Sequence, residues 1–141
     1  MDVRDLIARS PLFSDGEPYL MLKLPATAIT VAAGIVAEIG DPFTALIVDK
    51  DEVSLVVPHE AVDEFASRLR GHIASSVRYR LITFDIELPH DIVGYLAPIA
   101  TALAAAEIPI LAFAAYTRDH VLVPENRYED ALQVIETLKQ S

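Results

Sequence analysis

The pattern of apolar and polar residues predicts short strands and helices in alternation. Short apolar or alternating runs between turn residues predict strands, and apolar residues at i, i+3, i+4 and i+7 predict helices. An amphipathic start with a loop at 14–16 is expected over residues 1–17. The elements predicted after it are strand 19–24, helix 28–39, strands 44–48 and 53–57, a helix between 58 and 71, strand 77–88 (one long or two short), helix 91–107, strands 110–116 and 120–123, and a helix opening at 126.

Several helix ends carry local signals. Gly40 and Gly71 predict helix stops, because glycine readily adopts the left-handed conformation that ends a helix. Asp91 is the predicted N-cap of the helix over 91–107. Asn126 is the predicted N-cap of the last helix, and Glu129 three residues later completes a capping box.

The order β-α-β-β-α occurs twice along the chain. Residues 46–56 align with residues 113–123 without a gap, and each segment has an apolar strand, a polar turn and an apolar return strand. This order predicts two small antiparallel sheets, each covered on one face by helices. The predicted domains are residues 1–74 and residues 75–141.

Composition and charge narrow the classes of function. The formal net charge is −10 and the 11 basic residues are scattered, which argues against binding to nucleic acid. The chain has no cysteine, so disulfides and thiolate chemistry are excluded. Residues 92–116 are apolar enough to resemble a membrane span, but Gly94, Pro98, Glu107 and Pro109 interrupt them. We expect a cytoplasmic protein with no membrane span, since no signal peptide opens the sequence.

The search for catalytic residues favours a protein that is not an enzyme. None of the four histidines lies at i, i+3 or i+4 from another, and there is no glycine-rich phosphate loop and no nucleophile motif. Asp85 and Glu87 could do acid–base work, but a solvated sheet edge explains them better. No metal and no cofactor are expected.

The segment from Leu88 to Gly94 is the candidate binding site. It leads from a strand into the helix predicted from Asp91, and helix N-termini offer unpaired N–H groups that can hold a carboxylate. Gly94 would let a ligand approach the backbone closely. The alternative is an ordinary capped helix in which Gly94 only permits close packing. The residue pattern by itself favours the second interpretation.

The segment from Gly94 to Pro124 resembles the ACT-domain family. Its beginning, Gly94-Tyr-Leu-Ala-Pro-Ile, and the later run Ala-Tyr-Thr-Arg-Asp119-His-Val-Leu-Val are similar to tandem-ACT arginine sensors and to short bacterial aspartate-kinase-like ACT proteins. In the first half, Phe43-Thr-Ala and Glu52-Val-Ser-Leu-Val follow the same pattern. The likeness covers residues 40–140, and residues 19–40 fit a first β-α unit.

The resemblance implies an α+β protein with two ferredoxin-like βαββαβ domains in tandem. It also implies that a ligand lies between ACT domains, with its carboxylate on the backbone N–H groups near 93–95 and its ammonium or side chain near Asp119. The ligand-binding residues carried over are His90, Asp91, Ile92, Val93, Gly94, Tyr95, Phe113, Ala115, Tyr116 and Asp119, together with Phe43, Thr44 and Glu52 from the first half.

The expected function is a regulatory, non-catalytic module that binds an amino acid. Ala114 and Ala115 stand where the family has Ser-Thr, and Ala45 replaces a serine in the first half. A more apolar pocket would favour a hydrophobic or aromatic amino acid. The alternative function is a ligand-free ACT module for oligomerisation. A homodimer is expected in either case, because exposed sheet edges in so small a chain are usually paired.

Overall fold

The computed structural model describes residues 2–40 and 42–141, which form two compact units. One unit comprises residues 17–78, and the other comprises residues 2–16 with residues 79–141. The helices are α1 (Val3–Arg9), α2 (Ile29–Ile39), α3 (Glu60–Glu64), α4 (Leu96–Ala105) and α5 (Tyr128–Lys139). The strands are β1 (Leu12–Phe13), β2 (Pro18–Pro25), β3 (Ala45–Val48), β4 (Glu52–Pro58), β5 (Ile73–Ala74), β6 (Tyr79–Phe84), β7 (Leu111–Ala114) and β8 (Asp119–Pro124). Over the described residues, every helix is too short or too polar to cross a bilayer.

The unit of residues 17–78 is a complete βαββαβ repeat. Its antiparallel sheet has the order β3-β4-β2-β5. The predicted β3–β4 hairpin is confirmed, with Val48 opposite Val53. Its turn is closed by Asp49, whose Oδ1 accepts hydrogen bonds from the N–H groups of Asp51 at 2.8 Å and Glu52 at 2.9 Å. Alternate residues of the sheet pack on α2 and α3 to form the core of this unit.

The helix expected between residues 58 and 71 is shorter than predicted. The α-helical part ends at Glu64, and Ala66–Arg68 form a single 3-10 turn in which the Arg68 N–H donates to Phe65 O at 2.9 Å. Gly71 then adopts φ of +75°, and the chain enters β5 beside β2. The tighter turn therefore redirects the chain into the fourth strand of the sheet.

The fourth strand in the sheet of the second unit comes from the N-terminal segment of the chain. Its sheet has the order β7-β8-β6, and β1 pairs antiparallel with β6, placing Leu12 opposite Phe84. Helix α1 contacts α5, and Leu6 and Ile7 are each only 3% exposed within the core of this unit. Residues 2–16 therefore group with residues 79–141, whereas the expected boundary at residue 74 assigned them to the first domain.

Arg127 joins the end of α4 to the beginning of α5. Its guanidinium donates to Ala106 O at 3.1 Å and to Glu107 O at 3.2 Å, which satisfies carbonyls at the end of α4. The capping box predicted for Asn126 is wrong, because residues 125–127 form a 3-10 turn and α5 begins at Tyr128 without a side-chain cap. The turn holds Arg127 where it reaches those carbonyls.

Candidate functional site

The loop between β6 and α4 forms much of the candidate site. Helix α4 begins at Leu96, with Tyr95 at its N-cap position, and residues 90–94 lie outside the helix. Gly94 has φ of +80°, a left-handed conformation that an α-helix excludes. The expected helix start at Asp91 is therefore wrong, and the exposed Asp91 side chain is not the N-cap.

A cavity of about 880 Å³, open to solvent, lies between this loop and the turn that joins β7 to β8. The Leu88 N–H donates to Thr117 O at 2.7 Å and ties the two segments together. Cavities of this size commonly hold small organic ligands. The lining residues all belong to the second unit: Leu88, Pro89, His90, Ile92, Gly94, Tyr95, Leu96, Ala97, Ala114, Ala115, Tyr116, Thr117 and Asp119.

Asp119 contributes a carboxylate to the cavity wall, the only one among the lining residues of the described chain. It is the first residue of β8 and lies opposite Ala114 on β7. Burial raises the pKa of Asp119, and the charge of the neighbouring His120 opposes this shift. Burial lowers the pKa of His120 in turn, so the imidazole adds little positive charge at neutral pH. The wall thus holds a partly desolvated negative charge that suits a cationic group.

Tyr95 is held by the N-terminal segment. Its ring is 3% exposed and packs edge to face on Phe84, with ring centroids 6.1 Å apart. The Ser10 hydroxyl donates to Leu6 O at 2.6 Å, so the Tyr95 hydroxyl donates to Ser10 Oγ, also at 2.6 Å. Burial raises the pKa of Tyr95. One wall of the cavity therefore depends on a residue 85 positions away in the sequence.

His90 and Tyr116 form a ridge at the cavity mouth. Their rings meet edge to face with centroids 4.3 Å apart, and His90 Nε2 lies 2.8 Å from Tyr116 O. Both residues also line a smaller neighbouring cavity of about 450 Å³. The Tyr116 side chain is 81% exposed. The ridge therefore offers an aromatic face to a molecule entering from solvent.

The cavity brings together most of the site residues predicted in the second half of the chain. Those that line it are His90, Ile92, Gly94, Tyr95, Ala115, Tyr116 and Asp119. Asp91, Val93 and Phe113 do not line it. Val93 is 84% exposed, and Phe113 lies opposite His120, so its side chain points to the sheet face away from Ala114.

The residues predicted from the first half of the chain lie in the unit of residues 17–78. Phe43 is buried and packs edge to face on Tyr19, with centroids 5.9 Å apart. Thr44 is half-buried just before β3, and Glu52 is half-buried at the beginning of β4. Their contribution to a ligand site remains a prediction.

Six lining residues are not among the ligand-binding residues carried over from the resemblance: Leu88, Pro89, Leu96, Ala97, Ala114 and Thr117. Leu88 and Pro89 do belong to the candidate segment from Leu88 to Gly94. Two signals in the sequence could have found some of them. Ala114 on β7 and Asp119 on β8 are directly opposite each other, so their side chains lie on the same face of the sheet. A left-handed Gly94 moves the helix start to Leu96, so that Leu96 and Ala97 form its first turn.

A separate group of side chains could hold a metal ion. In the described part of the chain, ligand atoms of Glu17, His59 and Glu60 lie within 4.8 Å of one another. The backbone N–H of His59 donates a hydrogen bond to Pro18 O at 2.9 Å. The Nδ1 atom of the His59 imidazole is buried without a hydrogen-bond partner. One imidazole and two carboxylates are a donor set that divalent transition metals accept. The group belongs to the unit of residues 17–78 and shares no residue with the cavity.

Comparison with known proteins identifies the class of the second unit. Residues 75–137 match the family model of the ACT domain. The resemblance noted in the sequence is thereby confirmed. No curated protein matches the chain.

Solved structures extend the likeness to both units. A Vibrio cholerae protein of unknown function, described as a possible transport protein, is 22% identical, with a TM-score of 0.75 over 97% of this chain and 95% of that one. A chain from the structure of aspartokinase alpha and beta subunits is 19% identical, with a TM-score of 0.74 over 100% of both chains. The ligand-free regulatory subunit of aspartate kinase from Thermus thermophilus is 16% identical, with a TM-score of 0.61 over 92% and 97%. The predicted fold class of two ferredoxin-like repeats is confirmed.

Proposed function

We propose that this chain is a regulatory module that binds a small amino acid in the cavity around Gly94 and catalyses no reaction. The observation that carries the proposal is the cavity itself, which lies within the matched ACT segment and has one carboxylate, Asp119, in an otherwise mostly apolar wall. The solved structures with similar folds include regulatory subunits of aspartate kinase, which supports a regulatory role.

The two ends of an amino acid have matching groups on opposite walls. The ammonium would pair with Asp119, where a charge-assisted hydrogen bond is stronger than a neutral one. The carboxylate would accept hydrogen bonds from backbone N–H groups near 93–95, where Gly94 leaves space beside the backbone because nothing lies within 4 Å of a Cβ built on it. Such binding requires no nucleophile and no proton transfer.

Regulation would follow from a shift in population between conformations. A ligand changes an equilibrium only by binding one conformation more tightly than another. The cavity walls come from two loops, and one wall is supported by the hydrogen bond between Tyr95 and Ser10 of the N-terminal segment. A ligand that contacts both loops would favour the conformation in which the two loops are close together.

Isothermal titration of the full chain with each of the twenty amino acids tests the proposal. A specific ligand should give a saturable signal and raise the melting temperature as its concentration increases. The substitution Asp119→Asn should weaken that signal, and Asp91→Asn serves as the matched control, because Asp91 is on the loop between β6 and α4 but does not line the cavity. A flat response to all twenty amino acids would refute the sensor function.

An oligomerisation module without a ligand is the second candidate. The observation that favours it is the exposure of two large apolar side chains near the cavity, Val93 at 84% and Tyr116 at 81%. If this candidate is correct, light scattering should give the mass of a dimer at micromolar concentration without any amino acid. Val93→Ser with Tyr116→Ser should then produce a monomer that keeps its secondary structure.

A further inference from the structure

The charges lining the cavity point to a particular class of ligand. Among the described lining residues, the titratable groups are Asp119, His90 and the two tyrosines, and there is no lysine or arginine. A ligand carboxylate therefore meets no lysine or arginine in the cavity wall, only backbone N–H groups and the His90 imidazole, whereas a ligand ammonium meets the Asp119 carboxylate. Because charge-assisted hydrogen bonds are stronger than neutral ones, the amino end should dominate recognition.

Arg118 does not alter this balance. It immediately precedes Asp119, but it is not among the residues that line the cavity. Its guanidinium donates to Asp85 Oδ1 at 2.7 Å and to Thr117 Oγ1 at 2.9 Å. Within the described part of the chain, the Arg118 guanidinium therefore pairs with Asp85 and forms no ion pair with Asp119.

The rest of the cavity wall suits an apolar body. Aliphatic carbons come from Leu88, Ile92 and Leu96, and aromatic faces come from Tyr95 and Tyr116. Ala114 lies opposite Asp119, so a methyl group lies beside the carboxylate where a hydroxyl would serve a polar ligand. The Tyr95 hydroxyl is already engaged by Ser10. Few donors or acceptors remain for a polar ligand side chain, and burying one without a partner is costly.

We infer that the cavity selects a primary ammonium attached to an apolar body, and that a carboxylate on the ligand is dispensable. This inference rests on the proposed function, because it assigns the ligand class of the same cavity. It differs from general amino-acid recognition in a testable way: an apolar amine that lacks a carboxylate should still bind, and an apolar acid that lacks an amine should not.

The test uses isothermal titration with the full chain and compares L-phenylalanine with two probes that each lack one of its charged groups; ethanolamine is added as a polar amine. L-Phenylalanine and 2-phenylethylamine should bind within about 10-fold of each other, because no lysine or arginine lines the cavity to meet the carboxylate. 3-Phenylpropionate should bind about 10- to 100-fold more weakly than L-phenylalanine, since it loses the ionic hydrogen bond and places a second negative charge near Asp119. Ethanolamine, a polar amine, should bind at least about 10-fold more weakly than 2-phenylethylamine, because it buries no ring.

Variants assign the effect to the named residues. Asp119→Asn should lower the affinity for 2-phenylethylamine by about 10- to 100-fold, while the loop variant Asp91→Asn should leave it within about 2-fold. Thermal melting of each variant without a probe shows whether it folds. If Asp119→Asn fails to fold, an increase in ionic strength, which screens an exposed ion pair, should still weaken amine binding in the unmodified chain.

The possible outcomes separate the inference from the proposed function. Tight binding of L-aspartate, L-lysine or L-threonine with no binding of 2-phenylethylamine would overturn the inference and leave the proposed function standing. Equal binding of 3-phenylpropionate and 2-phenylethylamine would also overturn the inference. The absence of binding by every amino acid and every probe would refute both.

Discussion

The hydrogen bonds among Tyr95, Ser10 and Leu6 allow a quantitative test of how the N-terminal segment supports the cavity wall. Ser10→Ala removes the acceptor of the Tyr95 hydroxyl and the donor to Leu6 O, and leaves a buried tyrosine hydroxyl without a partner. Tyr95→Phe removes only one donor, because Ser10 Oγ keeps its bond to Leu6 O. An abandoned buried polar group costs about 1–3 kcal/mol, whereas a typical hydrogen bond contributes about 1 kcal/mol net.

We therefore expect Ser10→Ala to destabilise the protein by about 2–3 kcal/mol and Tyr95→Phe by about 1 kcal/mol. At roughly 3–4 °C per kcal/mol for a chain of this size, the two melting temperatures should fall by about 6–12 °C and about 3–4 °C. Urea unfolding followed by far-UV circular dichroism gives the free energies without depending on the tyrosine signal. The double variant should show that the two losses are not additive, because both remove the same bond.

Ser14→Ala provides the matched control for these variants. Ser14 is in the same N-terminal segment, and its buried Oγ has no hydrogen-bond partner, so its removal should leave the free energy of unfolding unchanged or slightly increased. The reasoning would be refuted if Ser10→Ala cost no more than Tyr95→Phe, or if Ser14→Ala cost as much as Ser10→Ala.

Further predictions concern stability. The raised pKa of Asp119 means that the native protein holds this proton more tightly than the unfolded chain, so the stability from this group is present below pH 3.8 and is lost as pH rises through the raised pKa. Asp119→Asn should accordingly raise the melting temperature at pH 7, with a gain that shrinks toward pH 3.8; a gain that is equal at both pH values would contradict this. Gly94→Ala should cost about 1–2 kcal/mol in urea unfolding because of the left-handed backbone, whereas Gly34→Ala inside α2, with open space around its Cβ, should stabilise by about 0.5–1 kcal/mol. Equal effects at the two glycines would show that backbone conformation is not the cause. Glu107 has φ of +59°, so Glu107→Gly should stabilise by about 0.5–1 kcal/mol, and a loss of stability in the same assay would argue against strain there.

The sequence predicted the features that depend on near neighbours. Both β-hairpins follow from apolar runs on either side of a polar turn, and the structure pairs Val48 with Val53 and Ala114 with Asp119. Gly40 ends α2 in the left-handed conformation, as its position predicts. The repeat of the β-α-β-β-α order predicted two antiparallel sheets with helices on one face, and the resemblance to the ACT-domain family implied the ferredoxin-like fold class that is confirmed.

Features that depend on distant residues were not predicted. Two residues at 12–13 make too short a strand to detect, and only β6, about 70 positions later, gives them a partner. The capping of α4 by Arg127 likewise joins positions about 20 apart. The start of α4 was misplaced for a local reason: Asp91 is a good N-cap residue, but the backbone at Gly94 bars a helix from beginning there.

The pairing of β1 with β6 also sets the order in which the chain can fold during synthesis. All the strands and helices of the unit of residues 17–78 exist once residue 78 has been made, so this unit can fold first. Residues 2–16 are made earlier but have to wait for residues 79–141 before Leu6 and Ile7 can be buried. During that interval the apolar side chains of Leu6 and Ile7 remain accessible to chaperones or to the wrong partner. A substitution that disrupts residues 2–16 should therefore impair folding of the unit that contains the cavity. It should leave the unit of residues 17–78 folded, although that unit follows directly in the sequence.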